Sequence, residues 1–101
     1  MRVFKFGGAS VKDADAVKNV VNVLQEVGYA DTLLVISAMG KTTNAMEKVV
    51  ESYFNDKDGV NASIQEVVDY HNGILSDLFQ NPSQIEFPSS LLDQYALKYL
   101  W

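Results

Sequence analysis

Cysteine is absent from this chain, which removes disulfides and thiolate metal ligands from consideration. There is no dense basic stretch, and the net charge is −5, so a nucleic-acid partner has no electrostatic support. No apolar run is long enough to cross a membrane. The opening, Met1-Arg2-Val3-Phe4-Lys5-Phe6-Gly7-Gly8, has neither the apolar core nor the small-residue cleavage site of a signal peptide. Internal repeats and low-complexity tracts are also missing. These absences fit a cytoplasmic protein. What is present suffices for a packed core: 48% of the 101 residues are hydrophobic and 11% aromatic, which argues against disorder and for one domain or part of one.

Two short apolar segments frame the first third. Residues 2 to 6, Arg-Val-Phe-Lys-Phe, are expected to form a strand ended by two glycines. Residues 32 to 36, Thr-Leu-Leu-Val-Ile, form a continuous apolar run of the kind that suits a parallel strand buried on both faces. Between them, Val17, Val20, Val21, Leu24 and Val27 recur at helical spacing, with Asp13 placed to cap the start and Gly28 to end it. Strand, helix and strand within about 30 residues make a right-handed βαβ unit.

The remainder reads as mainly helical. One helix is expected to about Phe54, with Met46, Val49, Val50, Tyr53 and Phe54 on its apolar stripe. A polar turn over Asn55-Asp56-Lys57-Asp58-Gly59 leads to a helix from about Ala62 to Gln80, with Ile64, Val68, His71, Leu75 and Leu78 aligned. Ser89 or Ser90 is placed to cap a last helix containing Leu91, Leu92, Tyr95 and Tyr99. Two strands are few for so long a helix to pack on, and the chain ends on Tyr99-Leu100-Trp101 with no polar tail. Both features are expected of a piece of a larger α/β protein.

Two loops carry candidate chemistry. Lys5-Phe6-Gly7-Gly8-Ala9-Ser10 lies where a strand ends and a helix is about to start. In open α/β sheets, ligands bind beyond the carboxyl ends of the strands. Paired glycines let the backbone approach a ligand, and exposed N–H groups favour an anion such as phosphate. Lys5 is the odd residue in an apolar strand, placed to meet charge developing on a transferring phosphoryl group. The plainer account is a tight turn with Lys5 reaching solvent. Ser37-Ala38-Met39-Gly40-Lys41-Thr42-Thr43-Asn44 likewise follows a buried strand and opens a helix. Gly40-Lys41-Thr42 is not a phosphate loop of the Walker type, because Val35, inside the strand, occupies the position where that motif needs its first glycine. A polar loop beside the first one remains, suited to a small polar substrate. For any single hydroxyl among Thr42, Thr43 and Asn44, helix capping is the plainer account.

Together these motifs resemble those of the aspartokinases. Lys5-Phe6-Gly7-Gly8-Ala9-Ser10-Val11 is similar to the family's Lys-Phe-Gly-Gly-Thr-Ser-Val opening, and Ser37-Ala38-Met39-Gly40 with Thr42-Thr43 to its second loop. The match covers residues 1 to about 54. The helical stretch 55–101 is less diagnostic, and nothing after residue 81 resembles the family. The resemblance implies the N-terminal portion of an amino-acid kinase domain, a carbamate kinase-like αβα sandwich around a largely parallel sheet. It implies ATP-dependent phosphorylation of the side-chain carboxylate of L-aspartate, with Mg2+ accompanying the nucleotide, and a homo-oligomer. By position, Lys5 would be the catalytic lysine that stabilises the phosphoryl group. Lys5, Phe6, Gly7, Gly8 and Ser10 would line the ATP phosphates. Thr43 would contact aspartate, and Ser37, Ala38, Met39 and Gly40 would shape the gap between the two ligands.

There are departures. Ala9 stands where the family has threonine, removing one hydroxyl but no backbone donor. The family's later Gly-Glu segment, substrate-binding arginine, adenine-binding half and regulatory ACT domains have no counterpart in the chain, which alone is expected to be inactive. His71 is the only histidine and reads as a packing residue in register with its helix's apolar positions. Asp13 and Asp15 have a sufficient electrostatic reason at a helix start, and Asp56 and Asp58 read as turn residues, so no metal ligands are assigned. Two alternatives stand beside the leading one: another amino-acid kinase, and a non-catalytic binding or assembly module.

Overall fold

The computed structural model describes residues 1–79, and the expected last helix with its Leu91, Leu92, Tyr95 and Tyr99 lies outside them. In chain order the elements are strand β1 (Arg2–Phe6), a 3₁₀ turn (Gly8–Val11), helix α1 (Ala14–Val27), strand β2 (Thr32–Ile36), helix α2 (Thr42–Asn55), a 3₁₀ turn (Lys57–Gly59) and helix α3 (Val60–Leu78). The strands pair in parallel, from Arg2 beside Thr32 to Phe6 beside Ile36. Their carboxyl ends therefore lie side by side, and both candidate loops leave from the same edge of the sheet.

Helix α1 begins and ends for identifiable reasons. Asp13 Oδ1 accepts a hydrogen bond from the Ala16 amide at 2.8 Å, a contact that stabilises a helix start by about 1 kcal/mol. Gly28 ends the helix with φ of +82°, a conformation costly for any residue with a Cβ. The Arg2 guanidinium, on the strand before the helix, then donates to the Val27 carbonyl at 3.2 Å and the Gly28 carbonyl at 2.9 Å. A cation on the last carbonyls of a helix satisfies acceptors that have no partner within the helix and meets the negative end of its dipole. The first residue of β1 is thus tied to the far end of the crossover.

The helix–helix packing departs from expectation. In α2 the expected interior residues Met46, Val50, Tyr53 and Phe54 are 48% to 74% exposed. The face toward α3 carries Ala45, Lys48 and Ser52 instead: the Ser52 and Ser63 hydroxyls bond at 2.9 Å, and Lys48 Nζ reaches both Glu66 carboxylate oxygens at 3.0 Å. In α3 the buried residues are Ser63 and Ile74, with Val67 half-buried; of the expected stripe, His71, Leu75 and Leu78 are half-buried, whereas Ile64 and Val68 are exposed. The helical period was read correctly, but the contact face is rotated by about one position from the most apolar stripe. Small residues at Ala45, Ser52 and Ser63 suit a close approach of the two helices, and Met46, Val50, Tyr53, Phe54, Ile64 and Val68 are left outside, with Val49 half-buried. Helix α3 also begins at Val60 and ends at Leu78, two residues before each expected end.

Strand β2 departs in the same sense. Leu33, Leu34, Val35 and Ile36 are between 37% and 55% exposed, rather than buried on both faces. Among the described residues β1 is its only partner strand, and the helices pack mainly on one another: α2 on α3, and α1 on α3 and on the Gly8–Val11 turn. The buried apolar residues, Val11, Ala14, Val20 and Ile74, mark where that turn, α1 and the second half of α3 meet.

Apolar strand and helix faces left open to this extent favour association between chains. The 101-residue chain on its own is expected to self-associate as its concentration rises, with a broad thermal transition. Sedimentation velocity checks this, and a monomer at every concentration with a sharp cooperative melt would contradict it.

Candidate active site

The two loops meet through their backbones. The Gly40 amide donates to the Gly8 carbonyl at 2.9 Å, and the Ser37 amide donates to the Phe6 carbonyl at 3.0 Å, which carries the strand pairing into the loops. A Cβ added to Gly8 would stand 2.8 Å from the Gly40 carbonyl oxygen and 3.0 Å from that of Ala38. Both obstacles are backbone and cannot rotate away, so glycine at position 8 is required by the approach of the second loop. Gly7 is different. Its φ is −74°, and a Cβ there would meet no atom within 4 Å. Nothing in the described fold demands glycine at position 7, and the space beside it is open.

The donors of the first loop divide. The Ser10 amide is spent on the Gly7 carbonyl at 3.0 Å, closing the 3₁₀ turn, and its exposed hydroxyl remains available. The amides of Gly7 and Gly8 meet no acceptor among the described residues. In the second loop, Gly40 takes φ of +55°, and the Met39 carbonyl accepts from both the Thr42 amide, at 3.1 Å, and the Thr42 hydroxyl, at 2.5 Å. Lys41 occupies the N-cap position of α2 without a side-chain capping bond. The capping account of Thr42, Thr43 and Asn44 is therefore not what the fold uses: the Thr42 hydroxyl points back into the loop, and Thr43 and Asn44 are exposed. The amides of Thr43 and Asn44 also have no acceptor among the described residues, so the start of α2 presents unpaired donors.

Lys5, Lys12 and Lys41 are all exposed, and none has an acid within ion-pair distance among the described residues. Lys5 does not share a cavity with the second loop. It lines a groove of about 270 Å³ with Val3, Phe6, Val23 and Val27, between β1 and α1. A separate cavity of about 330 Å³ lies between Gly40, Lys41 and Thr42 on one side and Glu66 and Tyr70 of α3 on the other, with Lys12 at its margin. The structure thus brings Phe6, Gly8, Ser37, Ala38 and Gly40 together and sets Lys5 and Thr43 apart from that junction. No group of three His, Cys, Asp or Glu side chains among the described residues could hold a metal.

Sequence reasoning missed Tyr70. Its hydroxyl donates to the Lys12 carbonyl and lies where a Gly40 side chain would stand. The signal available in the sequence was a polar-tipped aromatic three residues after Val67 and four before Ile74, on the face that packs. His71 is half-buried, and its Nδ1–H donates to the Val67 carbonyl of its own helix at 2.7 Å, facing no loop group.

The contrast between the two glycines is testable. In the full-length protein, Gly8→Ala is expected to lower stability by about 1–3 kcal/mol, as overpacking against fixed atoms does. Gly7→Ala is expected to leave it within about 0.5 kcal/mol, as open-surface changes do. Urea titration of both variants checks this; equal midpoints would show that the loops do not meet as described.

Comparison with known proteins agrees with the motifs. No protein-family model matches the chain, and no solved structure does. The chain is 45% identical over 49 residues to aspartokinase 2, chloroplastic, of Arabidopsis thaliana, covering 48% of this chain and 9% of that protein. It is 30% identical over 89 residues to the chloroplastic bifunctional aspartokinase/homoserine dehydrogenase 1 of Zea mays, covering 88% of this chain and 10% of that protein. To the chloroplastic bifunctional aspartokinase/homoserine dehydrogenase 2 of Arabidopsis thaliana it is 28% identical, again over 89 residues. The chain is thus a relative of the aspartokinases and spans about a tenth of the length of the curated relatives it matches.

Proposed function

We propose that this chain supplies the phosphate-holding and amino-acid-holding loops of an ATP-dependent kinase that phosphorylates the side-chain carboxylate of L-aspartate. The observation that carries the reading is the bond from the Gly40 amide to the Gly8 carbonyl, which joins the two loops at the carboxyl edge of a parallel sheet. The names of the relatives favour aspartate as the acceptor. In the reaction, a carboxylate oxygen attacks the γ-phosphorus, the bond to the β–γ bridging oxygen breaks, and ADP leaves with that electron pair. An ionised carboxylate needs no proton removed, so the protein's task is positioning and charge stabilisation.

The roles follow the loops. The unpaired amides of Gly7 and Gly8 and the open space beside Gly7 receive phosphate oxygens, with the Ser10 hydroxyl beside them. Lys5 supplies positive charge as negative charge moves from the γ-phosphoryl to the leaving oxygen; its four-carbon stem has to carry the ammonium from the β1–α1 groove to that point. Thr43 and the amides at the start of α2 hold the amino acid, and Ser37, Ala38, Met39 and Gly40 separate the two ligands. Mg2+, where bound, neutralises phosphate charge. A homo-oligomer is part of the proposal on the strength of the family resemblance alone. The curated relatives are chloroplastic, so the cytoplasmic expectation gains no support from them.

In the full-length protein, Lys5→Ala is expected to lower kcat roughly a hundred- to thousand-fold, the usual loss for one preorganised electrostatic contact. Thr43→Val is expected to raise KM for aspartate about fivefold, the equivalent of one neutral hydrogen bond, with KM for ATP unchanged. Aspartyl phosphate formation, trapped as the hydroxamate and compared with glutamate as acceptor, measures both, with circular-dichroism melts run alongside. A kcat within a few-fold of wild type in Lys5→Ala would refute the role of the first loop, and a change confined to KM for ATP in Thr43→Val that of the second.

A further inference from the structure

We infer that Tyr70 is a positioning residue that locks the two loops in register, an inference resting on the reading of those loops as the kinase site. Tyr70 lies in α3, 58 residues further along the chain than Lys12, and its hydroxyl donates to the Lys12 carbonyl. Lys12 is the residue through which the Gly8–Val11 turn passes on toward α1. The same hydroxyl occupies the space beside Gly40, where a Cβ would collide with it. Gly40 in turn donates to Gly8. Tyr70, Lys12, the first loop and Gly40 therefore form a closed ring of contacts, with α3 as its rigid side.

What surrounds Tyr70 favours a tether over a space-filler. The ring is 38% exposed and borders the cavity of about 330 Å³ beside Lys41 and Thr42, so it is not packed on all sides. Its orientation is held from behind: the His71 ring meets it edge-on, with centroids 5.4 Å apart, and His71 is bonded to its own helix. A residue held on one side and open on the other transmits position mainly through its hydroxyl. Removing that oxygen costs little packing but releases the exit of the first loop from α3. It also removes the nearest obstacle to a side chain at position 40, leaving the strain of the positive φ, which ties the two positions together in a way a double mutant reads.

The test uses Tyr70→Phe, Gly40→Ala and the double variant in the full-length protein. Tyr70→Phe is expected to leave the thermal midpoint within a few degrees and to lower kcat roughly three- to tenfold, the rate equivalent of one neutral hydrogen bond, with both KM values little changed. Hydrogen exchange at the Gly40 amide should speed up by a similar factor. Gly40→Ala should be more damaging than Tyr70→Phe, and the double variant should be more active than Gly40→Ala alone, because the clash is relieved. Strictly additive losses, or a Tyr70→Phe protein with unchanged kcat, overturn the positioning role. Unchanged exchange at Gly40 overturns the contact itself. A wild-type protein that phosphorylates no amino acid defeats the kinase reading instead, and Tyr70 is then judged as a loop lock by exchange alone.

Discussion

The hydrogen bond from the Gly40 amide to the Gly8 carbonyl is the contact on which the site depends. It turns two loops that leave neighbouring strands into one surface. Gly8 is glycine because of it: the carbonyls of Ala38 and Gly40 fill the space a side chain would need. The parallel register that sets Phe6 beside Ile36 brings the loops to the same edge, and the βαβ crossover makes that register possible. The amides of Gly7, Gly8, Thr43 and Asn44 are unpaired among the described residues, and Lys12 and Lys41 have no acid within ion-pair distance there.

The same fold leaves apolar surface unused. Helices α2 and α3 approach through Ala45, Ser52 and Ser63, which keeps their bulkier residues outside, and β2 carries four exposed aliphatic side chains. These faces have the composition of an interior without the cover of one. The matched stretches make up about a tenth of those relatives, so in them comparable faces have far more chain available to cover them.

Much of the fold was legible in the sequence, and the reason is local. Both strands have the expected bounds because glycine, polar loops and short apolar runs delimit them. Helix α1 starts and stops where Asp13 and Gly28 dictate. Helix faces were less legible. Periodicity locates a stripe, but which side of it meets a neighbour depends on how closely two backbones approach, and small residues such as Ser63 decide that without adding hydrophobicity. At the site, both loops could be located from their glycines and polar residues, but the reason for a glycine at position 8 could not be read: the sequence suggested the approach of a ligand, whereas the carbonyls of Ala38 and Gly40 take the space. The 3₁₀ turn, the commitment of the Ser10 amide to Gly7 and the reach of Tyr70 to Lys12 could not, because each arises from a backbone path or a long-range contact that no local pattern encodes.

The central claim is that the joined loops form a single cradle with phosphate on the Gly7–Gly8 side and the amino acid on the Thr43 side. A crystal structure of the full-length protein with a non-hydrolysable ATP analogue and aspartate tests it most directly. The account predicts phosphate oxygens within hydrogen-bond distance of the Gly7 and Gly8 amides, the aspartate at the start of α2, and the bond between Gly40 and Gly8 intact. A nucleotide bound away from these loops, or the two loops separated around it, would contradict the account.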